Sequence, residues 1–231
     1  MGSELVKNFS EHVQPLIPGY KVAQKSQSWL MKLLGKLLFF TPGFMSNFTT
    51  TIGNVVYVPD DVWESNDAGT LSLLAHEARH VNDKQHYSMF LFGLGYLLPQ
   101  VLALLSLLSL LTIWFSNAWL WSLTALVFLA PIPAYFRMVI ERRGYLMTLC
   151  VIWWTLGERT AYDGIPYIVK QFTGPNYYFM GLNQRRLQGW FERELVEKAK
   201  HPSRYDPIYV LVFDFVNSNK GPKGFKDEKT R

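Results

Sequence analysis

The sequence predicts a mainly α chain with a small β-hairpin or sheet, an α+β class. Two helices form a site, and a hydrophobic helical hairpin is inserted between them. Three observations predict this. Residues 71–86, LSLLAHEARHVNDKQH, place an H-E-x-x-H on an apolar, helix-forming run. Residues 89–136 carry no charged side chain and turn once, at Ser116-Asn117. Between residues 48 and 58, two β-branched and aromatic runs flank Gly53-Asn54.

The 231 residues fit one domain, or one domain plus a membrane element. A single cysteine, Cys150, excludes an internal disulfide framework and a C-x-x-C metal site. The net charge of +5 is modest, and no basic cluster is interleaved with aromatics as nucleic-acid binding would ask. The lysines and arginines instead flank the uncharged block, as membrane-flanking charge does.

Residues 1–27 are mixed and polar, without a signal-peptide pattern. Residues 28–40 are apolar apart from Lys32 and Lys36, four apart, and predict an amphipathic helix that is either a core helix or one lying on a membrane. Thr41-Pro42-Gly43 ends it. Phe48–Thr51 and Asn54–Val58 predict a short hairpin, stopped by Pro59-Asp60-Asp61. Asp67-Ala68-Gly69-Thr70 opens the motif helix, with Thr70 as the expected N-cap.

On that helix His76 and His80 are four apart, so one face can offer both imidazoles to one metal ion. Glu77, one residue on, can reach a water beside the metal instead of binding the metal. Zinc lowers the pKa of such a water to about 7, which makes Glu77 a candidate general base. A charged surface helix could carry the same letters with no metal, but three of the five histidines fall between residues 76 and 86.

A hydrolytic zinc site wants a third protein ligand and an open fourth position. His86 sits where the metzincin pattern places its third histidine, but Asp83 occupies the position of that pattern's helix-breaking glycine. Asp83 shares the histidine face, lies too far along a straight helix to close a tetrahedron, and suits better an acceptor role toward His80. Glu141 is the preferred candidate, for a geometric reason.

The uncharged block is long enough for two membrane helices, since a span needs about 20 apolar residues. Trp114, Trp119 and Trp121 cluster at its turn as an interfacial belt would. Pro99, Pro131 and Pro133 interrupt the arms, so the hairpin either spans fully or dips into one leaflet. Either way, both outer ends return to the same side of the bilayer. The second end is followed by Arg137, Glu141, Arg142 and Arg143, so the hairpin delivers Glu141 back to the motif helix. The basic residues there argue for the cytoplasmic face. Tyr145, four on from Glu141, could donate its hydroxyl to a ligand carboxylate or to a developing oxyanion, or could be an interfacial aromatic.

H-E-x-x-H, two hydrophobic helices and then a glutamate opening a further helix resemble the membrane-embedded gluzincins, which include the CAAX-processing and membrane-quality-control zinc peptidases. The resemblance covers about residues 71–156. It implies a zincin-like helix pair holding one Zn2+ at the cytosolic membrane surface, and peptide-bond hydrolysis. His76, His80 and Glu141 would be the ligands and Glu77 the base. Those enzymes usually show E-x-x-x-D with alanine before the aspartate, where this chain has Glu141…Tyr145 preceded by Gly144. Zinc peptidases commonly bind substrate backbone along an exposed strand edge, which gives the hairpin a use.

Residues 146–156 extend the Glu141 helix, with Cys150 as inert packing. Gly157 ends that helix, which leaves Glu158 a weaker alternative ligand. Gly164-Ile165-Pro166 starts a helix to about Phe172, and Tyr177–Met180 is placed to cover the mouth of the site. Residues 184–200 form a charged amphipathic helix, Ile208–Phe215 a strand or short helix, and the basic tail a flexible end.

The expected organisation is a catalytic domain built from 1–88 and 137–216, a membrane hairpin at 89–136, and a flexible tail at 217–231. The expected function is that of a membrane-associated zinc metalloendopeptidase whose partners are the lipid bilayer and a protein or peptide substrate. The alternative is a non-catalytic membrane scaffold or lysis-type protein whose zinc is structural or absent. Glu77 separates them, because a structural site has no use for it.

Overall fold

The computed structural model describes residues 3–39, 41, 43–86, 89–129, 134–174, 180 and 183–219. Pro131 and Pro133, residues 177–179 of the expected mouth cover, and the tail from Lys220 lie outside the described residues. The chain is mainly helical with a three-stranded mixed sheet, in keeping with an α+β class.

Helix α1 (Glu4–Val13) is capped by Ser3, whose Oγ accepts from the Val6 N–H at 3.3 Å, and it buries Leu5, Val6, Phe9 and Val13. Strand β1 (Lys21–Gln24) follows, in a stretch whose mixed, polar sequence predicts no strand. Its neighbours are what make it a strand. It pairs in parallel with β3 (Val55–Val58), while β2 (Thr50–Ile52) pairs with β3 antiparallel. The order β1-β3-β2 leaves β2 at an edge. The β2–β3 pair is the expected hairpin, and Gly53 at φ +60° makes its turn in a backbone region that glycine enters without strain.

Between β1 and β2 runs helix α2 (Trp29–Leu37), capped by Ser28, whose Oγ accepts from the Met31 N–H at 3.3 Å. After β3 come a short helix α3 (Asp60–Glu64) and the motif helix α4 (Ala68–His86). The expected cap Thr70 lies inside α4, and Asp67 does the capping. Its Oδ1 accepts from the Thr70 N–H at 2.7 Å, while Ser65 Oγ donates to its Oδ2 at 2.6 Å. A carboxylate reaches the free first-turn amides and also suits the positive end of the helix dipole.

Helix α5 (Met89–Leu97) opens the apolar block, and two 3₁₀ runs, Gln100–Ile113 and Asn117–Leu129, pack against each other beyond it. Among the described residues no single helix is long and apolar enough to cross a membrane. One pair, Leu91–Leu97 with Val101–Ile113, meets the length and composition together but is bent by 89°.

Helix α6 (Tyr135–Leu156) returns the chain and packs along α4. It ends at Gly157, φ +98°. Helix α7 (Glu158–Thr173) then begins earlier than Gly164 and carries Pro166 in its interior. Ala161, Ile165, Ile168, Val169 and Phe172 form one buried stripe at helical spacing, and burying it outweighs the amide that proline lacks. Helix α8 (Gln184–Lys200) is as expected. The run from Ile208 resolves as helix α9 (Pro207–Ser218), with Asp206 as its cap and Pro207 at its first position. The core draws Phe9, Tyr20, Leu71, Leu74 and Ala78 from before the hairpin, and Leu146, Met147, Phe172, Phe191 and Val212 from after it.

Candidate metal centre

Helix α4 is apolar where it faces α6, and its Leu71, Leu74, Ala75 and Ala78 are fully buried. Seating that stripe aims the remaining face, with His76, Glu77 and His80, at the start of α6. His76 and His80 are 12% and 11% exposed at their side chains, and Glu141 on α6 is 7% exposed.

Among the described residues, the donor atoms of His76, His80 and Glu141 all lie within 4.8 Å of one another. The two Nε2 atoms are 2.9 Å apart, and Glu141 Oε2 lies 3.5 Å from His76 Nε2 and 3.7 Å from His80 Nε2. Donors at about 2.0–2.1 Å from one tetrahedral zinc ion sit roughly 3.3 Å apart, so the three separations straddle what one ion requires.

The electrostatics suit a cation. Burial alone would raise the Glu141 carboxyl, but hydrogen bonds and charge from His76 and His80 hold it well below the usual carboxylate range. Burial alone would lower the His80 imidazole, and Glu141 outweighs that and raises it. A carboxylate that draws a proton onto the neighbouring His80 imidazole will equally draw a divalent cation in its place.

Five further residues shape this site, in roles the sequence alone does not assign them. Tyr96 on α5 donates its hydroxyl to Glu141 Oε1 at 2.7 Å. Arg137 braces that tyrosine, with its Nε donating to the Tyr96 carbonyl at 2.9 Å and its guanidinium 4.6 Å from the ring centre. Thr148 Oγ1 lies 3.3 Å from His76 Nδ1. Gly144 lies against both imidazoles, where an added Cβ would meet His76 Nε2 at 2.7 Å and His80 Cε1 at 2.9 Å. The glycine that departs from the gluzincin pattern is thus the one that lets α6 approach the histidines. Thr51 on β2 donates to Glu77 Oε2 at 2.6 Å. No local pattern in the sequence signals these contacts, since each forms only when separate elements are docked together.

The other expected residues fall as follows. Tyr145 stacks edge-on against His76 with ring centres 4.8 Å apart, and against Phe172 at 5.4 Å; the tyrosine hydroxyl found on Glu141 belongs to Tyr96. Asp83 does not serve His80, whose buried Nδ1 has no hydrogen-bond partner among the described residues. Two guanidiniums hold Asp83 instead, Arg79 at 2.7 Å and Arg143 at 3.0 Å, and Arg79 also pairs with Asp206 at 2.8 Å. This network joins α4, α6 and the cap of α9 beneath the site. His86 is exposed, with its Nδ1 2.9 Å from the Asn82 carbonyl, and Glu158 is exposed at the start of α7.

The three donors and Glu77 open into a cleft of about 1510 Å3, walled by Thr49–Gly53 on one side and by Phe92, Tyr96 and Leu97 on the other. Comparison with protein-family models, with curated proteins and with solved structures returned no match.

Proposed function

We propose that this chain is a membrane-associated zinc metalloendopeptidase of gluzincin type, with a zincin-like α4–α6 pair at the cytoplasmic face of a membrane. One observation carries the reading. Two Nε2 atoms and one carboxylate converge within 4.8 Å across two helices, and a fourth residue, Glu77, shares the same cleft with its own partner on the edge strand.

His76, His80 and Glu141 would hold the ion. Zinc there would supply a Lewis acid for the scissile carbonyl and for the attacking water. Glu77 takes the proton of that water and hands it to the leaving amine. Thr51 occupies Glu77 Oε2 and so fixes the carboxylate plane, which leaves Oε1 for the proton. Tyr96 orients the Glu141 carboxylate, and Tyr145, on the cleft wall, serves the carbonyl oxygen. The substrate is a peptide in extended form. It adds to the outer edge of β2, which pairs only with β3 among the described residues and whose length lines the cleft. The hairpin from Met89 onward is the membrane element, and the lipid bilayer is its partner. Leu104, Leu107, Leu110, Trp114 and Trp121 in it are exposed.

The test is zinc content and peptide cleavage measured together on purified protein in detergent. The reading expects one zinc per wild-type chain, and in Glu77→Gln retained zinc with lost cleavage. Glu77→Gln that cleaves at the wild-type rate contradicts it.

A further inference from the structure

Helix α2 hangs from the fold by one side. At about 100° per residue, Met31, Leu34, Gly35 and Leu38 share one face. Met31 is fully buried there, and Gly35 meets Met45 of the following loop. Trp29, Leu33 and Leu37 repeat every four residues on the opposite face and are 74%, 44% and 61% exposed. Lys32 and Lys36 run beside that stripe, both exposed, and neither pairs with a carboxylate among the described residues. A helix that packs one apolar face and presents another with a flanking basic strip has an unfilled second contact.

The occupant can be chosen by size and charge. The three side chains offer on the order of 400 Å2, against roughly 800 Å2 per partner in a standard protein interface. An aromatic and two leucines bordered by unpaired lysines match the boundary between headgroups and acyl chains of an anionic leaflet, where tryptophan settles and lysine reaches phosphate. The position also fits. The loop after α2 supplies Ser46, Asn47 and Phe48 to the lining of the same cleft that α5 lines with Phe92, Tyr96 and Leu97. Buried Lys25 ties that loop down by donating to the carbonyls of Phe44 at 2.6 Å and Phe48 at 2.7 Å.

We propose that α2 lies in the plane of an anionic lipid surface as a second membrane contact, separate from the apolar hairpin, with Trp29, Leu33 and Leu37 entering it and Lys32 and Lys36 on its phosphates. The proposal rests on the membrane-associated reading of the chain and not on its metal chemistry.

The experiment places an environment-sensitive nitrobenzoxadiazole label at Leu33→Cys in the full chain. Cys150 is buried and does not compete for the label. The chain is reconstituted into phosphatidylcholine vesicles with or without phosphatidylglycerol. A blue-shifted label that brominated lipid quenches is expected, stronger with phosphatidylglycerol and lost in Lys32→Glu/Lys36→Glu, while the same label at exposed Gln188→Cys on α8 stays aqueous. A chain that floats with vesicles while its Leu33 label stays open to aqueous iodide overturns the proposal and leaves the hairpin reading standing. A label shift in lipid-free detergent that grows with protein concentration assigns the stripe to a second copy and overturns it. A chain that does not float at all overturns both membrane readings, and its zinc content then reports on the metal site alone.

Discussion

The α4–α6 pair and the apolar runs beyond α5 draw on the same residues, mostly leucine with small and aromatic company, and settle in opposite ways. In α4 and α6, Leu71, Leu74 and Ala78 meet Leu146, Met147 and Cys150 in a fully buried contact. In the runs Gln100–Ile113 and Asn117–Leu129, Leu104, Leu107, Leu110, Ile113 and Trp121 stay exposed, and the backbone adopts 3₁₀ turns over a length at which they are uncommon. The difference is in the polar residues. The charged and imidazole groups of α4, and Glu141 and the arginines of α6, leave each helix one face to bury. The 3₁₀ runs carry no charged side chain on any side, so no face is singled out for burial. The site gets its precision from the first region, and the second lines none of it among the described residues; Tyr96 comes from α5, before the 3₁₀ runs begin.

Substitutions can break this contrast, beginning with the largest expected effect. Glu77→Gln lowers peptide cleavage by roughly 10²- to 10⁴-fold, the usual worth of a general base, with zinc retained. Arg79→Met leaves Asp83 and Asp206 short of a partner in a buried network. It lowers stability by about 3 kcal/mol in denaturant unfolding, at the low end for a broken buried pair because Arg143 still holds Asp83 at 3.0 Å. Gly144→Ala should stabilise an ordinary helix by about 1 kcal/mol. Here its Cβ enters both imidazoles, so zinc affinity falls by roughly 10- to 100-fold, which a competitive chelator titration reads. Tyr96→Phe removes one hydrogen bond to Glu141 and weakens zinc by about tenfold; an unchanged affinity would show that the apolar arm is irrelevant to the site.

A separate effect is one of pH. Burial lowers the Lys25 ammonium from 10.5 to about 8. Between those values the unfolded chain holds a proton that the folded chain has released. Stability therefore rises with pH from about 8 to 10.5, and Lys25→Met flattens that rise in thermal melts.

Much of the site was legible because its chemistry is local. His76, Glu77 and His80 sit within five consecutive residues, and helical spacing alone puts both imidazoles on one face. The return of Glu141 required only that a hairpin brings its ends back together. Other parts were not legible, because they depend on contacts that no local pattern encodes. Strand β1 exists because β3 lies beside it, and Thr51 reaches Glu77 only once the sheet is laid over α4. Tyr96 reads as one more aromatic of an apolar arm until α5 is docked on α6. Asp83 looked like a partner for His80 because helical spacing places the two near each other. The arginine that holds it more tightly, Arg79, is also on α4, but Arg143 and Asp206 come from α6 and the cap of α9.

The central claim is that Glu141, carried back by the hairpin, completes a zinc site with His76 and His80. Zinc per chain, measured by elemental analysis of wild type and Glu141→Gln purified side by side in detergent, tests it most directly. The account predicts one zinc in wild type and loss of it in Glu141→Gln. Full zinc occupancy in Glu141→Gln, or a wild type that binds no metal under conditions that retain zinc, would contradict it.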